Sequence, residues 1–101
     1  SEETDLNKIL GDVNIIYMTR IQKERISLED YEKAKGKFVI DKNNFNLINN
    51  NSRIMHPLPH CEEICLPIEV EEKDLRVAYF RQAENGLYVR MALLEWIMSK
   101  N

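Results

Sequence analysis

GDVNIIYMTRIQKER, residues 11–25, joins a short apolar run to a strongly charged one. The apolar part, residues 13–18, has the length and composition of a buried strand, and Gly11 lies at its boundary. Apolar side chains on both faces are typical of a strand that is covered on two sides. The spacing over residues 5–10 predicts a helix with Thr4 as its N-cap. A helix followed by a buried strand indicates an α/β fold.

The remaining chain continues in short elements. We predict a helix over residues 27–35 that is capped by Ser27, an extended segment at 38–40, strands at 54–55 and 77–80, and a half-buried helix from Glu84 to the end. Residues 41–51 are rich in asparagine, which favours a solvated surface with at most a short helix near Phe45. Residues 62–72 alternate in polarity, but Pro67 argues against a central strand there.

The composition indicates one soluble globular unit. The 101 residues are 44% apolar and 31% charged, with a net charge of −3. An acidic chain has no bulk attraction for nucleic acid, and no apolar run approaches the roughly 20 residues of a membrane helix. The acidic start is unlike a signal peptide, and the two cysteines suggest reduced thiols. We therefore expect a cytoplasmic protein without a nucleic-acid or membrane partner.

The charged part of the opening stretch is the first candidate site. Ligands of open α/β sheets bind beyond the carboxyl ends of the strands. If the backbone stays extended after Met18, Arg20 and Gln22 point to the same side. A guanidinium fork and an amide on one face suit an anion with two carboxylates. Basic residues after a strand are often only a solvated turn, and Glu24 by itself is equally well explained as an exposed charge.

MHPLPH, residues 55–60, is the second candidate site. Pro57 and Pro59 exclude a helix and interrupt any strand ladder, so this segment is predicted to be an irregular loop with a stiff backbone. A backbone carbonyl that such a loop holds in place accepts a hydrogen bond with little reorganisation. The Leu58–Pro59 bond is of the only kind in which the cis form costs as little as about 0.5–1 kcal/mol.

Four neighbouring residues are of types that bind metal ions: His56, His60, Cys61 and Cys65. The intervening prolines prevent the two histidines from sharing a helical face, and the chain has no CxxC motif. We predict no metal. Nothing marks a base and an orienting group beside Cys61, so it is not predicted to be a nucleophile.

YFRQAENGLYVRMALL, residues 79–94, is the third informative stretch. In this order and at these separations, the three stretches closely resemble the carboxyl-terminal part of the aspartate carbamoyltransferase catalytic chain. The resemblance implies part of a three-layer α/β/α domain with a mostly parallel sheet. Residues 1–101 would be the carboxyl-terminal portion of the aspartate-binding domain, and the carbamoyl-phosphate-binding domain would be absent from this chain.

The resemblance also implies roles for individual residues. Arg20 and Gln22 would contact L-aspartate, and the backbone carbonyls of Leu58 and Pro59, joined by a cis bond, would orient carbamoyl phosphate. Three residues would close or position the loops of the site: Glu24, His56 and Pro57. Five residues of the third stretch would serve positioning and interdomain packing: Arg81, Gln82, Asn85, Gly86 and Arg90. His60 is a departure, because the family usually has an arginine there that braces the loop through acidic partners.

The implied activity is the transfer of the carbamoyl group from carbamoyl phosphate to L-aspartate in pyrimidine synthesis, without an organic cofactor or metal. The implied partners are the missing amino-terminal part and two further copies in a homotrimer. Because the family's phosphate-binding loop is not in this chain, the chain alone is expected to be inactive and to expose sheet edge and apolar helix surface. Ornithine carbamoyltransferase is disfavoured by the intact arginine stretch. A non-catalytic homologue or interaction subunit stays open.

Overall fold

The computed structural model describes residues 1–34 and 36–100. In chain order the elements are α1 (Leu6–Ile9), β1 (Ile15–Tyr17), a 3-10 turn (Lys23–Arg25), α2 (Leu28–Ala34), β2 (Ile40–Asp41), a second 3-10 turn (Phe45–Leu47), β3 (Arg53–Met55), β4 (Ile64–Cys65), α3 (Ile68–Lys73) and α4 (Tyr79–Ser99). Within the described residues, no helix combines the length and apolar character that crossing a bilayer requires.

All the strand pairings are parallel, as predicted for an α/β protein. Strand β1 pairs with β3, with Ile16 opposite Ile54. Strand β2 pairs with β4, with Ile40 opposite Ile64, so the described residues form two separate two-stranded sheets. A single further parallel bridge joins Ile54 to Val77 on the other side of β3.

The core lies between these strands and the first residues of α4. Ile16, Ile40, Ile54 and Ile64, one from each strand, are almost completely removed from solvent. Five further apolar residues complete the buried cluster: Leu10, Met18, Ile48, Val77 and Tyr79. Burial of a large aliphatic side chain contributes about 1.5–3 kcal/mol, so the four isoleucines stabilise the parallel pairing more than its few backbone bonds do.

The helix starts follow capping chemistry. Helix α1 is capped by Asp5, whose side chain accepts a 3.1 Å hydrogen bond from the Asn7 amide. The prediction of Thr4 was wrong by one residue, and aspartate is the better N-cap of the two. Ser27 caps α2 as predicted, since its Oγ accepts a 3.2 Å bond from the Asp30 amide. The predicted end of this helix at Lys35 lies outside the described residues.

The asparagine-rich segment exposes five of its six asparagines, as predicted, and buries the sixth. Asn44 is buried, and its side-chain amide donates to the Val39 carbonyl at 2.7 Å and to Asn7 Oδ1 at 3.0 Å. Its Oδ1 accepts from the Asp41 amide at 2.9 Å. One asparagine therefore joins α1, β2 and the second 3-10 turn, a role that the composition of the segment does not reveal.

Three predictions about strands and helices were wrong. The strand predicted at 77–80 exists only as the bridge of Val77, because the Gln82 amide already bonds to the Ala78 carbonyl and α4 begins at Tyr79. Helix α4 thus starts before Glu84, and only Tyr79 in it is buried. Strand β1 is covered on one face only: Ile15 and Tyr17 are 56% and 54% exposed.

Candidate functional site

The two segments that carry the candidate site leave the same edge of one sheet. Strands β1 and β3 are parallel neighbours, with Tyr17 opposite Met55. The Met18 amide continues the ladder by donating to the Met55 carbonyl at 2.9 Å. Paired strands lie about 4.8 Å apart. Residues 18–25, the arginine segment, and residues 56–60, the proline loop, therefore start side by side at the carboxyl ends of the strands.

Arg20 is held by an exposed ion pair. Its Nη2 lies 3.3 Å from Glu24 Oε1, with side chains that are 46% and 60% exposed. The 3-10 turn of Lys23–Arg25 brings the two residues together, and the Arg25 amide closes it on the Gln22 carbonyl at 3.0 Å. An exposed pair of this kind contributes at most about 1 kcal/mol. The guanidinium can therefore exchange this carboxylate for another at small cost.

The opposite holds for His56, which is completely buried. Its Nδ1 accepts a 2.8 Å hydrogen bond from the Leu58 amide. The imidazole proton is therefore on Nε2, which donates to Glu63 Oε1 at 2.7 Å. The His56 backbone amide donates to Gln82 Oε1 on α4 at 2.9 Å. The predicted positioning role of Gln82 thus corresponds to a direct contact with the base of the loop.

Glu63 closes this network as a buried carboxylate. Its Oε1 also accepts from the Cys61 amide at 3.1 Å, on the far side of the two prolines. Burial acts to raise the pKa of Glu63, but the hydrogen bonds from the amides of Cys61 and Glu63 and from the His56 ring together outweigh it and lower the pKa. Glu63 is therefore a carboxylate at neutral pH, and it fixes both ends of the loop.

The loop itself has an unusual backbone. The Leu58–Pro59 peptide bond is cis, as the resemblance implies. Leu58 has a φ of 58°, in the left-handed region that residues other than glycine rarely adopt. Such a conformation costs about 1–3 kcal/mol and persists only where surrounding contacts impose it. Here the contact is the hydrogen bond from the Leu58 amide to the buried His56 ring.

His60 at the end of the loop meets an acidic residue of α3. Its Nε2 lies 3.0 Å from Glu71 Oε1, and both side chains are largely buried. The Tyr79 ring packs edge-on against the imidazole, with centroids 5.4 Å apart. The Tyr79 hydroxyl is buried without a hydrogen bond of good geometry to any described residue, and burial first, then the nearby Glu71, raises its pKa.

A cavity of about 670 Å³ opens beside residues 18–25, and none of residues 56–60 is among its lining residues. Arg20, Glu24 and Cys61 line it, together with residues of α1 and β1, whereas Gln22 is not among its lining residues. Its volume is in the range of small-molecule sites, about 300–1,000 Å³. On its rim the Tyr31 hydroxyl of α2 donates to Glu62 Oε1 at 2.7 Å, and this bond raises the pKa of Tyr31.

The ligand types considered for a metal do not meet as a set. In the described part of the chain, the ligand atoms that come within 4.8 Å of one another belong to Cys61, Glu62 and Glu63. The Glu63 carboxylate already accepts from His56 and Cys61, and Glu62 from Tyr31. Glu63 therefore supports the loop, whereas Glu62 is bonded to α2.

Sequence reasoning missed the acidic supports of the loop. Glu63 and Glu71 follow the proline loop by a few residues, in a run whose alternation was interpreted only in terms of a strand. A stiff loop with polar ends needs buried partners for its free backbone amides, and this requirement is the one signal that points to nearby acids. No spacing rule identifies which of the five glutamates in residues 62–72 face inward.

The fold and these two segments define an α/β protein whose candidate site lies at the carboxyl ends of parallel strands. The family model for the aspartate/ornithine carbamoyltransferase Asp/Orn binding domain matches residues 1–97. The chain belongs to the aspartate/ornithine carbamoyltransferase family.

The relatives within this family place the chain beside the aspartate enzymes, as the resemblance indicated. Aspartate carbamoyltransferase 2, chloroplastic, of Pisum sativum is 46% identical over 99 residues, which are 96% of this chain and 25% of the pea protein. The catalytic subunit of M. jannaschii aspartate transcarbamoylase aligns with a TM-score of 0.76 and 36% identity, over 96% of this chain and 31% of that one.

A second similar structure is a complex with two small molecules. Aspartate transcarbamoylase from Trypanosoma cruzi, in complex with carbamoyl phosphate and aspartate, aligns with a TM-score of 0.70 and 33% identity over 87% of this chain and 28% of that one. This chain thus spans about a quarter of the length of the curated relative from pea.

Proposed function

We propose that this chain is the aspartate-binding part of an aspartate carbamoyltransferase that acts in pyrimidine synthesis. The enzyme transfers the carbamoyl group of carbamoyl phosphate to L-aspartate. The aspartate amine attacks the carbonyl carbon, the bond from that carbon to the bridging phosphate oxygen breaks, and the amine loses a proton. The products are N-carbamoyl-L-aspartate and phosphate.

The observation that carries this proposal is the parallel pairing of β1 with β3. It starts the arginine segment and the proline loop side by side at one edge of the sheet, since Met18 bonds to the Met55 carbonyl at 2.9 Å. A small amino acid held by Arg20 then lies within reach of a carbamoyl group held by the loop. Two reactants fixed in this way react as if in one molecule, which lowers the entropic part of the barrier.

In this mechanism Arg20 and Gln22 bind the carboxylates of aspartate. Arg20 has to leave Glu24 to do so, and the exposure of this 3.3 Å ion pair makes the exchange inexpensive. The bidentate guanidinium then orients the substrate as well as attracting it. Glu24, once released, is available to fix the segment in its new position, which is the closing role that the resemblance implies for it.

The backbone carbonyls of Leu58 and Pro59 bind the amino group of carbamoyl phosphate. The hydrogen bonds of His56 to the Leu58 amide and to Glu63 hold these carbonyls in place before the substrate arrives. Dipoles fixed in advance stabilise a transition state without reorganisation during the reaction. His56 is therefore a positioning residue, and Pro57 limits the conformations that the loop can adopt.

The phosphate of the substrate requires cations, which we propose are supplied by a preceding carbamoyl-phosphate-binding domain of the same polypeptide. A homotrimeric assembly and a cytoplasmic location complete the proposal. The exposed side chains of β1 and α4 support a larger polypeptide, because Ile15, Tyr17, Leu94 and Trp96 are all more than half exposed. Apolar surface of that extent is typical of an interface.

The two alternatives have less support. Ornithine carries an amino group where aspartate carries its side-chain carboxylate, and Arg20 would repel it. A non-catalytic homologue was suggested by His60, but His60 retains an acidic partner at 3.0 Å. The loop is therefore braced in this chain as well.

The test measures carbamoyl aspartate formed by the chain alone and by the chain mixed with the amino-terminal region of the pea enzyme. We expect turnover with aspartate only in the mixture, and none when ornithine replaces aspartate. Turnover with ornithine would overturn the substrate assignment. The absence of any product in a mixture that forms a complex by size-exclusion chromatography would favour the non-catalytic homologue.

A further inference from the structure

His60 has surroundings that differ in kind from those of His56. Its Nε2 faces Glu71 Oε1 at 3.0 Å, and its Nδ1 faces the Cys61 carbonyl at 3.4 Å. A carboxylate and a backbone carbonyl are both acceptors, so each ring nitrogen of His60 lies close to an acceptor. A neutral imidazole has one N–H, and only the protonated ring has two.

His56, by contrast, has one donor and one acceptor as its ring partners. Its Nδ1 accepts from the Leu58 amide at 2.8 Å and has no room for a proton, while Nε2 donates to Glu63 at 2.7 Å. The two histidines stand at the two ends of the proline loop, with ring centroids 6.2 Å apart. One end is therefore fixed by a ring that accepts at one nitrogen and donates at the other, and the other end by a ring whose bonding improves when it gains a proton.

We propose that His60 is a positioning residue for the proline loop and that it holds this loop most firmly when its imidazole is protonated. The ion pair with Glu71 anchors the loop to α3, and the contact with the Cys61 carbonyl fixes the backbone two residues after Pro59. The inference rests on the proposed function, in which the carbonyls of Leu58 and Pro59 orient the carbamoyl group.

The groups that face His60 come from three elements. Glu71 of α3 places its carboxylate 3.0 Å from Nε2, the edge-on Tyr79 ring of α4 limits access of solvent, and the His56 ring lies 6.2 Å away between centroids. Histidine side chains change charge between about pH 5 and 8, and charge-assisted hydrogen bonds are about twice as strong as neutral ones. Deprotonation therefore weakens the anchor without removing it.

The test uses the complete polypeptide that carries this sequence, with His60→Arg as the reference. Arginine keeps its charge throughout, so the ratio of the wild-type kcat/KM for carbamoyl phosphate to that of His60→Arg isolates the protonation of His60. We expect this ratio to fall about fivefold between about pH 6 and 8.5. When both proteins also carry Glu71→Gln, the same ratio should no longer depend on pH. When both instead carry Glu72→Gln, which changes an exposed neighbour on α3, the ratio should still depend on pH.

A ratio that stays constant with pH would overturn the inference while leaving the proposed function intact. Backbone hydrogen exchange over residues 57–62, corrected for the intrinsic pH dependence of amide exchange, gives a second measurement that needs no turnover. Protection that decreases with rising pH in the wild type but not in His60→Arg supports the inference, and equal profiles contradict it. Absence of turnover in every variant contradicts the proposed function alone.

Discussion

The two halves of the candidate site are held in opposite ways. The proline loop is fixed by buried hydrogen bonds: His56 is fully buried and bonds to the Leu58 amide and to Glu63. The arginine segment is held by one exposed pair, Arg20 with Glu24, at 3.3 Å. Both segments begin at neighbouring strand ends, so the difference lies in the partners that each one finds.

This difference matches the two tasks of the proposed reaction. Backbone carbonyls are weak dipoles, and they are effective only when the protein fixes their direction before the substrate binds. A guanidinium is a strong charge that finds a carboxylate from several starting positions, so it tolerates a movable segment. The structure therefore places buried support at the weak dipoles and solvent exposure at the strong charge.

The largest effect is expected from removing the buried hydrogen bonds of the proline loop. His56→Ala in the complete polypeptide leaves the Glu63 carboxylate buried without its ring partner and the Leu58 amide unpaired. We expect a loss of about 3–5 kcal/mol in unfolding free energy, measured as a lower Tm by calorimetry. The double variant with Glu63→Gln should recover part of this loss, because an amide is cheaper to bury than a charge. An unchanged Tm would show that the network does not hold the loop.

An intermediate effect is expected from a substitution in the arginine segment. Arg20→Lys keeps the charge but loses the planar fork, so we expect about a hundredfold lower kcat/KM for aspartate with little change in Tm. Arg53→Lys, at the opposite end of β3, is the matched control and should leave this constant nearly unchanged. Equal losses in both variants would remove Arg20 from the aspartate site.

The smallest effect is expected from the exposed partner. Glu24→Gln should change the unfolding free energy by less than about 1 kcal/mol, because an exposed ion pair contributes little in water. Thermal unfolding at low and at high salt measures this. A larger loss of stability would mean that the two halves are held alike, whereas a loss of turnover at constant stability would assign Glu24 to a contact that forms during the reaction.

Much of the fold was predictable, because its signals are local. The apolar run around Ile16, the cap at Ser27 and the stop at Pro57 each act within a few residues of themselves. The strand predicted at 77–80 failed for the complementary reason: Tyr79 and Phe80 have strand-like composition, but only Val77 reaches a partner strand. The supports of the loop, Glu63 and Glu71, were not predicted, since an acidic residue looks the same in sequence whether it faces solvent or the core.

The sequence by itself determined the α/β class, the stiffness of the proline loop and the presence of an arginine-rich segment after a strand. Only the tertiary structure decided that these features start side by side, that the ring at position 56 is bonded at both nitrogens and that the ring at position 60 faces two acceptors. Backbone stiffness and capping depend on neighbours in the chain, whereas strand partners and protonation states depend on groups that folding brings together from distant positions.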